Sequence, residues 1–404
     1  MDQPWLTNRW HVSPVNFLPD VVAQTSFSPN LAISDCTLRD GEQQAGVVFA
    51  KDDKLEIAKA LDRLGVHEIE SGMPAVSKED REAVEAIVAL GLNAKISVLA
   101  RAIKDDVDVA ADCGAWAVSI SLPIGDLQRK YKLHVSEEAY LGKCLEIAAY
   151  AKSKGLYVTL SPYDTTRVQL DFLERVLNAV KAANTVDRVR LVDTVGAAHP
   201  WAMRYLVRFM KSVIGDLPIE VHCHDDFGMA VANTLAALEA GAEVASVTVN
   251  GIGERSGNCP LEEVVTALRI LYGIDIGIRL EHLKEVSETV QAISGIRLQP
   301  HKAVVGRNSF VHESGMVVAG LLKHPFTAEP YAPEIVGQKR TILIGKKSGA
   351  QSVKWKLEQL GYSPTEGQIE ACLEQVKRQS LTEKRALTDE ELSAIYANIA
   401  GIHP

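Results

Sequence analysis

His222-Cys223-His224 is the tripeptide with the plainest chemical potential in this 404-residue chain. On a β-strand, side chains at i and i+2 point the same way, so the two imidazoles can share one metal ion. Such a site needs a third ligand from another element. Asp35 is the candidate, because it closes the first convincing apolar strand and opens the run Asp35-Cys36-Thr37-Leu38-Arg39-Asp40-Gly41-Glu42. Taken alone, both features have ordinary readings: an HxH pair arises by chance, and an Asp after a strand commonly serves a turn or an N-cap. The elements that carry them must decide.

Short β-rich runs alternate with longer amphipathic ones, the pattern of strand-helix units around a parallel sheet. Strands are expected over residues 31–36, 67–71, 95–99, 115–122, 157–161, 189–194, 219–224 and 244–251. Helices are expected over 51–64, 78–90, 103–113, 136–154, 168–183, 200–214, 229–240 and 261–272. Such a series within roughly 250 residues implies an α/β fold, a closed (β/α)8 TIM barrel with its active site at the C-terminal ends of the strands. The polar residues fall where that predicts: Asp35 and Arg39, Glu70, Arg101, Ser121, Tyr163, Thr194, His222 and His224, then Glu254 and Asn258. A metal site in a barrel mouth is the reading that joins these observations.

The expected organisation is an N-terminal extension (1–28), the catalytic barrel (29–285), a linker subdomain (286–345) and a C-terminal helical subdomain (346–404). Within the third segment residues 295–345 are rich in Pro, Gly and His and show no sustained helical period; the fourth segment reads as three helices. The length of the fourth segment fits three helices and leaves no room for a further domain.

A formal charge of −9 argues against nucleic acid or an anionic membrane surface as partner. Six cysteines show no disulfide or thiolate-zinc spacing. The first residues lack a basic run followed by an apolar stretch, so no signal peptide is expected, and a reducing cytoplasm fits best.

Long strings of this chain resemble the DRE-TIM metallolyase superfamily, above all its Claisen-condensing branch of 2-isopropylmalate, homocitrate and citramalate synthases. They include 35–43, 191–196, 222–233 (His222-Cys223-His224-Asp225-Asp226-Phe227-Gly228) and 251–258 (Gly251-Ile252-Gly253-Glu254-Arg255-Ser256-Gly257-Asn258). Further matches run through 306–315 and 345–349. By this resemblance Asp35, His222 and His224 bind one divalent cation, with Asn258 as a fourth ligand or neighbour. Two nitrogens and one or more oxygens do not select sharply among Mg, Mn, Zn and Co. The resemblance implies condensation of an acyl-CoA, acetyl-CoA foremost, with a 2-oxo acid chelated at that ion. Arg39 becomes a fixed cation for a developing enolate or alkoxide, with a salt bridge to Glu42 or Asp40 as its plainer role. Thr194 matches the residue that binds the oxo-acid carboxylate. Glu70 orients ligands or holds Arg39 or Arg101, while Gln43, Arg101 and Ser121 line the mouth. The resemblance also implies a homodimer in which the linker subdomain reaches the partner's barrel.

Three positions depart from the condensing pattern, and all concern proton transfer. Tyr163 stands where the family usually has glutamate, Val317 where a Ser-Gly-x-His motif has histidine, and Ala328 where short relatives have tyrosine. A valine cannot move a proton. Tyr163, His312 and Glu313 are the candidate replacements, with His324 and Tyr331 behind them. Otherwise the chain is a metal-dependent carbon-carbon lyase or aldol-type enzyme on a 2-hydroxy or 2-oxo acid without CoA.

Overall fold

Eight strands, each hydrogen-bonded in parallel to the next, close into a barrel in chain order. They are β1 (Ala32–Asp35), β2 (Glu68–Glu70), β3 (Lys95–Arg101), β4 (Ala117–Ser121), β5 (Tyr157–Ser161), β6 (Arg188–Asp193), β7 (Ile219–Cys223) and β8 (Val244–Val247). The structure is a computed structural model that describes residues 3–402. All eight expected strands are present, and a helix follows each. Helix Leu170–Ala183 shows why: Phe172, Leu173, Val176, Leu177 and Val180 form one buried stripe against the sheet. Serine caps start two others, Ser77 accepting from Asp80 N before Lys78–Ala89 and Ser136 from Ala139 N before Glu137–Ser153.

The barrel strands are buried on both faces, β6 along its entire length although it contains Arg188, Arg190 and Asp193. Their pairing sets the site. His222 of β7 lies opposite Val192 of β6 and Ser246 of β8, and Glu220 lies opposite Arg190.

Two compact units result, one of residues Val15–Leu298 and one joining Met1–Pro14 to Gln299–Pro404. These limits differ from the boundaries expected at 28, 285 and 345. Helix Leu283–Ser294 belongs to the barrel unit because it buries Leu283, Val286 and Val290, and its Ser287 Oγ donates to Asn250 Oδ1 at 2.5 Å. The N-terminal residues join the second unit through backbone bonds from His11 N to Pro330 O and from Ala332 N to Arg9 O. Within that unit one apolar cluster runs from Val318, Leu321 and Ile342 to Val353, Leu357, Val376 and Tyr396. The expected linker and helical subdomains therefore share a core. The three C-terminal helices form as Ala350–Gln359, Glu366–Glu383 and Asp389–Ala400, the last two behind capping boxes at Thr365 and Thr388. A helix, Gly315–Leu321, also forms where no helical period was legible.

Candidate active site

The strand C-termini surround a cavity of about 770 Å³. At its floor His222 Nε2 and His224 Nε2 lie 3.3 Å apart, each 3.7 Å from Asp40 Oδ2. A triangle with those three sides has its centre about 2.1 Å from each corner, which is the bond length that first-row divalent metals make to imidazole and carboxylate. The protonation states agree. Burial pushes the His222 and His224 imidazoles down, so both present lone pairs near neutrality. Burial alone would raise the Asp40 carboxyl, but Arg39, the two histidines and the Asn258 amide hold it well below the usual carboxylate range. His222 Nδ1 lies 2.9 Å from Ser246 Oγ, which fixes the ring from behind.

Asp40, and not Asp35, completes this cluster among the described residues. Asp35 makes the local turn that its position after a strand allows: Oδ1 accepts from Thr37 N at 2.9 Å and Oδ2 from Thr37 Oγ1 at 3.1 Å. Burial pushes its carboxyl up to about 7. The chain then folds back, with Arg39 N, Asp40 N and Gly41 N all directed to Cys36 O, and this tight turn brings Asp40 to the mouth. Asn258 lies beside the cluster, its Nδ2 donating to Asp40 Oδ2 at 2.5 Å and to Ile252 O at 3.2 Å. Its Oδ1 is buried without a hydrogen-bond partner. Two lone-pair nitrogens and an ionised carboxylate around one point, with an orphaned amide oxygen on the neighbouring Asn258, fit a divalent cation.

Arg39 is fixed on both sides, its Nε on Glu70 and its Nη1 on Asp40, each at 2.5 Å. Of its alternative partners Asp40 is thus one, whereas Glu42 pairs with Lys54 at 2.7 Å. Glu70 also accepts from Arg190 at 2.5 Å; burial opposes its ionisation, but the two arginines hold it at about 2. The series continues downward through Arg190–Glu220 at 2.9 Å, Glu220–Arg188 at 3.0 Å and Arg188–Glu68 at 2.8 Å. The sequence expectation missed Asp40 beside the two histidines and missed this ladder. Its signal was present as charged residues at i and i+2 on two barrel strands, Glu68 with Glu70 and Arg188 with Arg190.

Gln43, Arg101, Ser121, Tyr163 and Thr194 all line the cavity. Arg101 is held by Asp106 through two contacts of 2.8 Å. Thr194 Oγ1 accepts from Asp164 N at 2.7 Å, which leaves its proton to donate. His312 and Glu313 belong to the other unit. There His312 Nε2 lies 3.1 Å from Glu329 Oε1, and Glu313 accepts from Lys347 N at 3.1 Å.

A family profile described as HMGL-like matches residues 30–290. This chain belongs to the HMGL-like family. A second profile, described as homocitrate synthase post-HMGL domain-like, matches residues 304–384 of this HMGL-like protein. It is 47% identical over 384 residues to homocitrate synthase AksA of Methanopyrus kandleri, covering 95% of this chain and 96% of that one. It is also 47% identical over 346 residues to a probable 2-isopropylmalate synthase of Ignicoccus hospitalis, covering 86% of each. With (R)-citramalate synthase CimA of Methanocaldococcus jannaschii it shares 44% identity over 369 residues, covering 91% of this chain and 74% of that one.

Proposed function

We propose that this HMGL-like protein catalyses a divalent-metal-dependent Claisen-type condensation of an acyl-CoA, acetyl-CoA in the first instance, with a 2-oxo acid. The product is a 2-alkylmalate or homocitrate-type acid. The observation that carries this reading is the buried Asp40-His222-His224 cluster with Arg39 fixed beside it, in a chain nearly half identical along its length to synthases of such acids. Asp40, His222 and His224 would hold the cation, and Mg, Mn, Zn and Co all suit the donor set. Bound there, a divalent ion supplies Lewis acidity to the ketone and carboxylate oxygens of a 2-oxo acid.

The chain's own groups supply the rest. Thr194 Oγ1 donates to the oxo-acid carboxylate. Arg39 offers a fixed positive charge where the thioester carbonyl becomes an enolate and the ketone an alkoxide. The acyl α-carbon gives up a proton, its electron pair forms the new bond to the ketone carbon, and water then cleaves the thioester to release CoA thiol. Tyr163 is the titratable side chain on the cavity wall where relatives by resemblance place glutamate, so it is the candidate proton carrier. His312 and Glu313 lie in the linker subdomain (286–345), which in a homodimer reaches the partner subunit's barrel. Glu329 and Lys347 hold those two side chains ready. We assign the reaction to the cytoplasm, a reading supported by six buried free cysteines. Among the described residues no helix is long and apolar enough to cross a membrane.

Thiol release measured with acetyl-CoA and a panel of 2-oxo acids tests the proposal. Turnover with one or more oxo acids, lost on chelation and restored by added metal, is the expected result. No thiol release with any oxo acid in metal-reconstituted protein, with metal-dependent cleavage of a 2-hydroxy or 2-oxo acid instead, would replace it by the CoA-independent lyase.

A further inference from the structure

Three cations line the cavity on the β3–β5 side, Arg101, Lys132 and Lys143, with Arg129 close in sequence to the second, and they differ in one respect. Arg101 is neutralised by Asp106, and Arg129 by Asp126 at 2.8 Å with Glu137 at 3.3 Å. Lys132 and Lys143 form no ion pair among the described residues, yet both line the cavity. Lys132 lies in the turn Arg129–Leu133 after β4, and Lys143 lies in helix Glu137–Ser153. Glu146 feels the charge of Lys143, but its carboxylate is taken by Lys104 at 2.7 Å. Lys132 is steadied by aromatic contact, its Nζ 5.2 Å from the ring centroid of Tyr163 on the cavity wall. A protein of net charge −9 thus presents two uncompensated ammonium groups at one concave place.

Uncompensated lysines at a cavity rim point to an anion. Both are exposed, which suits a group that stays partly hydrated and not one sealed at the floor. The floor already has its own cation in Arg39 and its own donor in Thr194. A small oxo acid held there leaves most of about 770 Å³ for a second, longer substrate that runs outward past Tyr163. We propose that Lys132 and Lys143 form the anion subsite for the diphosphate of the acyl-CoA. This rests on the acyl-CoA reading of the site and specifies which wall of the barrel mouth the thioester crosses.

The test measures binding by calorimetry on metal-reconstituted protein at fixed ionic strength, with CoA and with pantetheine, which lacks the phosphates. The two proteins compared are wild type and the double variant Lys132→Gln/Lys143→Gln, in which both replacements are exposed and leave the core alone. Wild type is expected to prefer CoA by ~10²-fold, falling to a few-fold in the variant with pantetheine affinity unchanged, since each charge-assisted contact contributes roughly tenfold. In turnover the KM for acetyl-CoA rises ~10-fold while the KM for the oxo acid holds. Unchanged CoA affinity in the variant overturns the proposal. So does a rise confined to the KM of a dicarboxylic oxo acid, which would give the lysines to its distal carboxylate. If wild type releases no thiol yet binds CoA through these lysines, the condensation reading fails and the subsite stands.

Discussion

Two aspartates five residues apart, both buried, have opposite electrostatic fates. Asp40 faces a guanidinium and two imidazoles and stays ionised; Asp35 faces a threonine and the barrel interior and is pushed up to about 7. Asp40→Asn is therefore expected to lower bound metal by ten-fold or more and to abolish turnover, read by metal analysis after dialysis. Asp35→Asn is expected to retain the metal; equal loss in both variants would return Asp35 to the ligand set. Asp35 also leaves a signature in pH. Its folded pKa lies above the ordinary value of 3.8, so the folded protein binds the proton more tightly than the unfolded chain. The contribution to stability is full below that value and is lost as pH rises toward about 7. In Asp35→Asn the fall in stability between those limits should flatten, measured by urea unfolding of metal-free protein across the interval. An unchanged slope would contradict the assignment.

On the scale of the strands, the barrel interior is filled in part by charge. Glu68 and Glu70 on β2, Arg188 and Arg190 on β6, and Glu220 on β7 all point inward and alternate in sign up to Arg39 and Asp40. Taking such groups out of water is costly, and attraction offsets the cost only while every partner is present. Glu70→Gln keeps the shape but leaves Arg39 and Arg190 facing each other with one compensating charge fewer. It should cost about 3–5 kcal/mol in denaturant unfolding and should raise the KM for the oxo acid by freeing Arg39. A loss below about 1 kcal/mol with unaltered kinetics would show that Arg39 is positioned by Asp40 alone.

For the whole molecule, each unit has a core of its own, and the candidate proton carriers are divided between them: Tyr163 in one, His312 and Glu313 in the other. If the linker subdomain of one subunit reaches the other's barrel as proposed, activity should depend on protein concentration. Sedimentation should show a dimer, and mixing Asp40→Asn with Glu313→Gln chains should restore partial thiol release. A monomer fully active at nanomolar concentration would exclude the shared site. Tyr163→Phe in the same assay separates the two sources of the proton, since loss of a general acid-base group slows the chemical step by ~10²-fold or more.

Several features were legible in the residues because they depend on local period alone. Short β-rich runs between helices of period 3.6 gave the eight units of the barrel, and strand-end polarity gave the mouth with Arg101, Ser121, Tyr163 and Thr194. The i, i+2 rule alone put His222 and His224 on one face. The third member of the cluster obeyed no such rule. Asp35 and Asp40 are both acidic and both follow β1, and only the turn onto Cys36 O decides which carboxylate reaches a histidine pair more than 180 residues away. The same holds for the ladder, whose members lie on β2, β6 and β7 and meet because barrel closure brings Glu70 to Arg190. The extent of the units also lay beyond the sequence: helix Leu283–Ser294 straddles the boundary expected at 285, and only packing against the barrel shows which core it completes. Spacing along one strand is fixed by covalent geometry, whereas partnership between strands depends on the path of every turn between them.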